Sequence, residues 1–263
     1  MHAPRSVNMI EPELLMLAYR SGIFPMADSR DDPEIFWIEP RRRAILPLDG
    51  FHLSRSLART LRRGRFTVTC NQAFSEVMEA CAAPRNVRRD GEEGGSWISR
   101  RIQASYENLH FLGHAHSIEC WLDAPQGGRK LVGGLYGVGF DRVFCGESMF
   151  SRATDSSKVA LWWLVAALRR GGARLLDCQF MTAHLASLGA VEMPQKRYLS
   201  LLKAAQSAEV GALDGAGALS GVGDGDGVLA LPEAFAALLD DAEAAGPASS
   251  PGKFIAQALT HTS

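Results

Sequence analysis

A short apolar segment at residues 175–179 ends in two polar side chains that could carry chemistry. Side chains alternate along a β-strand, so Asp177 and Gln179 are predicted to share one face while Cys178 points into the core. A carboxylate and an amide at a strand end could hold a carbonyl group and an attacking amine in register. The alternative is a strand terminus whose polar groups face water, and the spacing leaves both interpretations open.

A second carboxylate, Glu147, lies within residues 144–152, where an apolar strand leads to a glycine and then to hydroxyl residues. Glu147 could accept hydrogen bonds from a substrate amine. Carboxylates with a perturbed pKa are often found at functional sites, which supports this interpretation only in part. It could equally pair with Arg152 or cap a turn. Ser148 is a weak candidate for a nucleophile, because the sequence lacks Gly-x-Ser-x-Gly and a compelling order of serine, histidine and aspartate.

Five arginines fall within residues 55–65, on a segment with the apolar spacing of a short helix. Like charges at this density repel one another unless an anion lies opposite. The phosphates of a nucleic acid are the obvious partner, and a solvated helix face is the competing interpretation. The candidate tRNA-binding or phosphate-binding residues are Arg55, Arg59, Arg62, Arg63 and Arg65.

Two further patterns imitate known sites. The spacing of His110, His114 and His116 resembles that of metal ligands. Because Gly113 interrupts the helix, we favour the other interpretation, in which histidines near the helix C-terminus are stabilised by the helix dipole. Residues 133–137 contain three glycines without the pattern of a nucleotide-binding loop. Glycines inside a strand more often mark a bulge or a close approach of two backbones. We therefore predict neither a metal site nor a phosphate loop here.

The composition is that of an ordinary globular protein, with 46% hydrophobic and 22% charged residues and a net charge of -1. Any basic surface must therefore be local. The five cysteines are far apart and form no Cys-x-x-Cys pair, which indicates reduced thiols. The sequence has no signal-peptide pattern and no apolar run of roughly 20 residues, so we expect a soluble cytoplasmic protein.

The elements that must position these side chains follow from hydrophobic periodicity, which predicts an α+β protein with a largely antiparallel sheet. A helix at residues 158–170 is expected to cross from a strand at 142–145 to a strand at 174–179. That pattern suits a mixed sheet with flanking helices of the acetyltransferase (GNAT) type, although the pattern alone does not establish that fold.

Three regions are predicted along the chain. Residues 1–52 are expected to form a small N-terminal domain, and residues 53–205 an acetyltransferase-like catalytic domain. From about residue 206 Ala, Gly, Ser and Asp dominate, so 206–263 is predicted to be a low-complexity, flexible C-terminal extension with a weak helix at 231–244.

Several long motifs together resemble one family, the leucyl/phenylalanyl-tRNA–protein transferases. They include Gly-Ile-Phe-Pro at residues 22–25, Trp-Ile-Ser-Arg at 97–100, Cys-Gly-Glu-Ser-Met-Phe-Ser-Arg at 145–152 and Asp-Cys-Gln at 177–179. They occur in the family's order, so chance agreement is a poor explanation. The resembling stretches are 17–25, 37–40, 52–56, 97–100, 112–119, 131–138, 144–152, 157–158, 177–179 and 184–189.

The resemblance implies an enzyme that moves leucine or phenylalanine, with methionine as a further possibility, from aminoacyl-tRNA onto a protein. The acceptor would begin with Lys or Arg, and the product would enter degradation that reads N-terminal residues. No metal and no organic cofactor are implied, and we expect a monomer that binds no membrane. The alternatives are an acyl-CoA-dependent N-acetyltransferase and a non-catalytic tRNA-binding module. Against the first, the sequence has no pyrophosphate-binding loop of the kind that acyl-CoA enzymes use. The second does not account for the pair Asp177 and Gln179.

The resemblance also implies residue roles. Asp177 and Gln179 match the catalytic pair, and Glu147 matches a supporting carboxylate. Trp97 matches an aromatic residue that stacks on the terminal adenosine of the tRNA, whereas Met26 stands where the family usually has a second tryptophan. The residues that match the pocket for the aminoacyl side chain are Phe144, Met149, Leu135, Leu161 and Leu176.

The expected mechanism is direct attack of the acceptor amine on the aminoacyl ester, since that ester is already activated. Asp177 would accept a hydrogen bond or a proton from the amine, directly or through Gln179. Gln179 would hold the amine against the ester carbonyl. A cationic acceptor side chain needs a carboxylate, and both Glu147 and Glu119 are candidates.

Overall fold

The computed structural model describes residues 8–49, 54–84, 96–207, 229–245 and 251–260. The helices in this part of the chain are α1 (Pro12–Arg20), α2 (Arg55–Arg62), α3 (Phe74–Ala82), α4 (Arg100–Phe111), α5 (Ser156–Arg170), α6 (Ala183–Ser187), α7 (Gln195–Ser207), α8 (Leu231–Ala244) and α9 (Pro251–Thr260). The strands are β1 (Phe24–Met26), β2 (Phe36–Ile38), β3 (Arg42–Ile45), β4 (Thr67–Cys70), β5 (Ala115–Asp123), β6 (Arg129–Phe140), β7 (Val143–Ser151), β8 (Leu175–Gln179) and β9 (Val191–Pro194).

Seven of these strands form one mixed sheet in the order β4-β5-β6-β7-β8-β3-β9. Neighbouring strands are antiparallel except β7 and β8, which run parallel with Val143 opposite Leu175. A parallel pair needs a crossover connection, and α5 supplies it. The predicted α+β fold with a mixed sheet and flanking helices is confirmed.

The sheet separates two hydrophobic clusters, because successive residues of a strand point to opposite faces. On β7, Phe144 packs in the first cluster, together with α5, α8 and α9. Its neighbours Val143 and Cys145 pack in the second cluster, together with α1, α3, α4 and α7. α5 is buried around most of its circumference, as expected for a helix covered on two sides. Even so, no described helix has both the length and the apolar character that a membrane span requires.

α1 and the antiparallel pair β1–β2 form a small N-terminal unit beside the sheet. α1 begins at Pro12, a residue favoured in the first turn of a helix, and it buries Leu15 and Tyr19. β3 follows in the chain but pairs with β8 and β9 inside the main sheet. A domain boundary at residue 52 would therefore separate β3 from the strands on both of its sides.

The C-terminal helices α8 and α9 cover the first cluster. Phe235, Leu238 and Ile255 are buried there, and the ring centre of Phe235 lies 5.2 Å from that of Trp163 on α5. The expectation of a flexible extension over 206–263 does not hold for these two helices, because their apolar faces complete the core. Other parts of that predicted extension lie outside the described residues, namely 208–228, 246–250 and 261–263.

Candidate active site

The end of β8 carries a fully buried carboxylate, Asp177, which forms an ion pair with Arg43 of β3. Arg43 donates from Nε to Asp177 Oδ1 over 2.9 Å and from an Nη to Oδ2. The Tyr198 hydroxyl on α7 donates to Oδ2 over 3.0 Å, and the backbone N–H of Gln179 donates to Oδ1 over 2.9 Å. Each carboxylate oxygen thus has at least two donors, which leaves Asp177 little capacity to accept another.

Arg43 lies between two aromatic rings, with its guanidinium carbon 4.8 Å from the Phe24 ring centre and 4.6 Å from the Tyr198 ring centre. It also donates to the Gly22 carbonyl over 3.1 Å. Burial alone disfavours a charged guanidinium, but Asp177 outweighs it and holds the pKa of Arg43 above its usual value. These contacts tie the turn after α1 to β3, β8 and α7.

A β-bulge on β7 presents the second carboxylate, Glu147. Tyr136 of β6 faces Ser148, and the next residue, Gly137, faces Gly146, so Glu147 is the extra residue on β7. Such a bulge re-aims one side chain. Gly137 permits it, because a Cβ there would lie 2.2 Å from a backbone oxygen of β7. The prediction that glycines of this strand mark a bulge or a close backbone approach is confirmed.

Glu147 is buried among hydrogen-bond donors. Its Oε1 accepts from the Tyr19 hydroxyl and from the Gln179 side-chain amide, each over 2.7 Å. The Tyr106 hydroxyl lies 3.5 Å from Oε2 and hydrogen-bonds Tyr19. Burial raises the pKa of Glu147 to about 7, although the hydrogen bonds from Tyr19 and Gln179 favour the ionised form. Glu147 can therefore exchange a proton near neutral pH.

Gln179 connects the two carboxylates, since its backbone N–H binds Asp177 and its side-chain amide binds Glu147. Its φ of 61° lies in the left-handed region, which is unfavourable for a residue with a Cβ and persists where surrounding contacts enforce it. Cys178 packs instead against the first hydrophobic cluster. The predicted alternation of these three residues is confirmed, and the strain centres the candidate site on Gln179.

The five residues proposed for an aminoacyl side-chain pocket meet in the first hydrophobic cluster. Four of them are buried and Met149 is partly buried against the others. They come from β6, β7, α5 and β8, and they are Leu135, Phe144, Met149, Leu161 and Leu176. The same strands therefore carry an apolar group on one face and the polar site on the other.

Trp97 and Met26, which were expected near the adenosine, are both partly buried against the second cluster. The backbone N–H of Ala27 donates to the Trp97 carbonyl over 3.1 Å, which fixes the end of β1 beside the segment that precedes α4. The structure thus places Trp97 next to the end of β1, the strand that carries Met26.

Glu119 belongs to a different network. Its buried carboxylate accepts from the hydroxyls of Thr69 and Ser117, and the Ala73 N–H at the start of α3 lies 3.4 Å away. A carboxylate at a helix N-terminus stabilises unpaired N–H groups. Glu119 therefore holds β4, β5 and α3 together. Of the two candidate carboxylates, Glu147 is the one that contacts Gln179.

α2 presents its arginines to solvent. All five predicted phosphate-binding residues are exposed, and within the described chain none of them forms an ion pair with a carboxylate. Ser54 caps the helix by accepting from the Leu57 N–H over 3.2 Å. The surface formed by Arg55, Arg59, Arg62, Arg63 and Arg65 is named the arginine face.

Two of the three histidines have contacts of a structural kind. His110 stacks on Phe74 with ring centres 4.2 Å apart and its Nδ1 lies 2.7 Å from the Ala115 carbonyl. His116 Nδ1 lies 3.0 Å from the Asn71 side-chain amide. Among the described residues, no three His, Cys, Asp or Glu side chains converge as metal ligands.

Sequence reasoning did not single out four residues of the polar site: Arg43, Tyr198, Tyr19 and Tyr106. Arg43 ends a run of three arginines that resembles a solvated turn. Tyr198 lies on α7, which periodicity did not predict. The only available signal was the position of Tyr19 on the apolar face of α1, where a hydroxyl needs a partner once it is buried.

Comparison with known proteins gives a consistent result. A family model described as leucyl/phenylalanyl-tRNA protein transferase matches residues 45–203, and the model of its N-terminal domain matches 8–41. A leucyl/phenylalanyl-tRNA–protein transferase of Novosphingobium aromaticivorans is 66% identical over 97% of this chain and 98% of its own. Proteins of the same name from Rhizorhabdus wittichii and Zymomonas mobilis are 54% and 56% identical, over 82% and 76% of this chain and 81% and 71% of their own.

Among solved structures, L-PGS from Bacillus licheniformis aligns with 68% of this chain and 56% of its own. The TM-score is 0.32 and the sequence identity is 15%. Agreement at that level carries no argument about fold or activity.

Proposed function

The chain belongs to the leucyl/phenylalanyl-tRNA protein transferase family, and we propose that it acts on proteins whose N-terminal residue is Lys or Arg. As in that family, the reaction is transfer of an aminoacyl group from tRNA to protein. Leucine and phenylalanine are the proposed donor residues, with methionine as a weaker one. The product would be recognised for degradation in the cytoplasm, and the enzyme would act as a monomer.

The observation that carries this proposal is the junction at Gln179, a residue with a left-handed backbone whose backbone N–H binds Asp177 and whose side-chain amide binds Glu147. The apolar cluster around Phe144 lies on the opposite face of the same strands. An apolar pocket accepts an unbranched-at-Cβ hydrophobic side chain and offers nothing to a polar one. An ester held at Gln179 would lie on the face of the sheet away from this cluster, so the proposed preference for leucine and phenylalanine rests on the family match.

We assign the reacting amine to Gln179. The side-chain nitrogen of Gln179 donates to Glu147, so the side-chain oxygen is the part of the amide that a substrate N–H could use. That oxygen would accept an N–H of the acceptor amine and aim the nitrogen lone pair at the ester carbon. The amine must first lose its excess proton, and Glu147 is suited to take it, since a base with a pKa near the working pH is most effective.

The bond changes balance without a cofactor. The amine nitrogen bonds to the ester carbon, and the bond from that carbon to the ribose oxygen breaks. One proton leaves the nitrogen and one reaches the ribose oxygen, so an amide and free tRNA result. No covalent enzyme intermediate is needed, and Asp177 acts as a positioning residue because its oxygens are occupied by Arg43 and Tyr198.

The experiment is transfer of labelled leucine from leucyl-tRNA to peptides that begin with Arg, Asp or Ala. We expect labelling of the Arg peptide alone, loss of labelling after ribonuclease treatment, and loss in Gln179→Ala. Labelling of the Asp peptide instead would overturn the acceptor assignment. A burst of aminoacyl-enzyme would overturn direct attack, and tRNA binding without transfer would support a binding module.

A further inference from the structure

α2 is an eight-residue helix whose attachment to the rest of the molecule is small. Only Leu57 and Leu61 are buried, while its arginines face solvent. A helix of this length is not stable in isolation, and its shape and direction depend on tertiary packing. The orientation of the arginine face is therefore set by whatever Leu57 and Leu61 pack against.

The main neighbour of α2 among the described residues is α9. A Cβ added to Gly252 would lie 2.1 Å from the carbonyl oxygen of Leu61 and 3.0 Å from its carbonyl carbon. The two helix backbones thus touch, and the contact tolerates glycine alone. Beyond it, Ile255 and Ala256 enter the same hydrophobic cluster as Leu57 and Leu61.

α9 is in turn anchored through α8 to the central helix α5. The ring centres of Phe235 on α8 and Trp163 on α5 are 5.2 Å apart. Asp241 on α8 pairs with Arg170 at the end of α5 over 3.4 Å. α9 also contacts α5 itself, and α2 has a smaller direct contact with α5, so α9 is the larger of the two supports that join the arginine face to the most buried helix of the described chain.

Side chains of the described residues do not fill the junction. A cavity of about 250 Å³ lies where α2 and β4 meet α5, α8 and α9. Its lining includes Thr60, Phe66, Trp163, Leu239 and Gly252. Side-chain packing therefore does little to fix the position of α2 here. The backbone contact between Gly252 and Leu61 contributes more to that position.

We propose that α9 is a positioning element for donor binding, which holds the arginine face of α2 in the direction that meets the phosphates of the tRNA body. This inference rests on the proposed role of the α2 arginines. Both α8 and α9 lie beyond residue 203, where the family match ends. The support for α2 in this chain thus comes from a segment outside the matched catalytic region.

The test compares two donors in Gly252→Ala. Leucyl-tRNA carries the phosphates, whereas leucyl-adenosine presents the reacting end without the tRNA body. Alanine is a better helix former than glycine, so any loss comes from forcing α9 away from α2. We expect KM for leucyl-tRNA to rise about tenfold, with kcat and all constants for leucyl-adenosine within about twofold of the parent protein, because lost phosphate contacts weaken donor binding.

The dependence of KM on salt should also become shallower, because its slope counts the phosphates that are neutralised. Ala236→Ser, at an exposed position of α8, is the control and should leave every constant unchanged. Ile255→Val removes one methyl group from the anchor of α9, and it provides a milder variant if Gly252→Ala does not fold. Its KM for leucyl-tRNA should rise about threefold by the same weakening of phosphate contacts.

Coupling to the arginine face is measured by repeating Gly252→Ala in an Arg59→Ala/Arg62→Ala background. Residues that act through one another give non-additive effects, so the glycine change should then alter KM for leucyl-tRNA by less than about twofold. Full additivity would overturn the inference, as would equal losses with both donors or an unchanged KM in folded Gly252→Ala. If the double arginine variant alone kept its KM, the role of α2 would fail as well. Inactivity of the unmodified protein toward both donors would instead overturn the proposed function.

Discussion

Two charged regions of this protein contrast sharply, the polar site at Asp177 and the arginine face of α2. At the polar site Arg43 is 1% exposed and Asp177 is 0% exposed, and every charge has partners within the fold. On the arginine face, five guanidinium groups are exposed without a carboxylate partner among the described residues. Buried charges must be paired to be tolerated, whereas exposed like charges remain available for a polyanion.

One set of charges therefore builds the fold, and the other set is the one that we propose to meet the phosphates of the donor. Substitutions at the polar site should therefore affect stability and the chemical step together. Substitutions on the arginine face should affect donor binding alone, in a manner that depends on salt.

The largest effect is expected when the buried ion pair is broken. Arg43→Ala and Asp177→Ala should each lower the free energy of unfolding by about 3–5 kcal/mol, because each leaves a buried charge unpaired. Both should also abolish transfer. Urea unfolding followed by tryptophan fluorescence measures the first quantity, and the labelled-leucine assay measures the second.

The matched control removes both charges at once. Arg43→Met with Asp177→Leu should be less destabilising than either single alanine change, because no lone charge remains. By contrast, Arg59→Ala should change the free energy of unfolding by less than about 0.5 kcal/mol. Equal losses at Arg43 and Arg59 would contradict the distinction between the two regions.

The second effect concerns pH and Glu147. Its pKa is raised from 4.5 to about 7, so between these values the folded state binds more protons than the unfolded state. The free energy of unfolding must then fall as pH rises through this window, by up to roughly 3 kcal/mol. Glu147→Gln should lack that fall, which urea unfolding at pH 4.5, 6 and 8 would reveal.

In activity, kcat/KM should rise in two steps as pH increases. The first step, near pH 7, reflects deprotonation of Glu147, and the second reflects deprotonation of the acceptor amine. Glu147→Gln should retain only the second rise, which it shares with the parent protein because it belongs to the substrate. If the two proteins gave parallel pH profiles in both measurements, Glu147 would not be the titrating group.

The third effect isolates Gln179. Gln179→Ala should reduce kcat about 100-fold with little change in KM, because the amine loses its orientation. Gln179→Gly should show the same loss of kcat and yet be more stable than the alanine variant by about 1 kcal/mol, since glycine adopts a positive φ without strain. Restored activity in the glycine variant would show that backbone shape, rather than the amide, matters.

The smallest effect lies on the arginine face. Arg59→Ala should raise KM for leucyl-tRNA a few-fold and reduce the slope of log KM against log salt by roughly 0.7 to 0.9 for each lost phosphate contact. kcat and stability should stay unchanged. A salt-independent loss would indicate that Arg59 supports the fold, and the contrast between the two regions would then disappear.

Parts of the site were readable from the chain before its fold was known. Strand alternation placed Asp177 with Gln179 and turned Cys178 away. The glycines of residues 133–137 indicated a bulge or a close approach of two backbones, and a bulge opposite them presents Glu147. Arg43 and Tyr198 were not found, because each reaches Asp177 from an element far away in the sequence.

The sequence by itself determined the family, the α+β class and the local elements, since motifs and hydrophobic periodicity depend on neighbouring residues. Tertiary structure alone decided which carboxylate serves which purpose. Asp177 became a saturated ion pair, Glu119 a helix cap and Glu147 a carboxylate whose pKa is raised by burial. The reason is that burial and the supply of donors set a carboxylate's chemistry, and both depend on residues brought together only by folding.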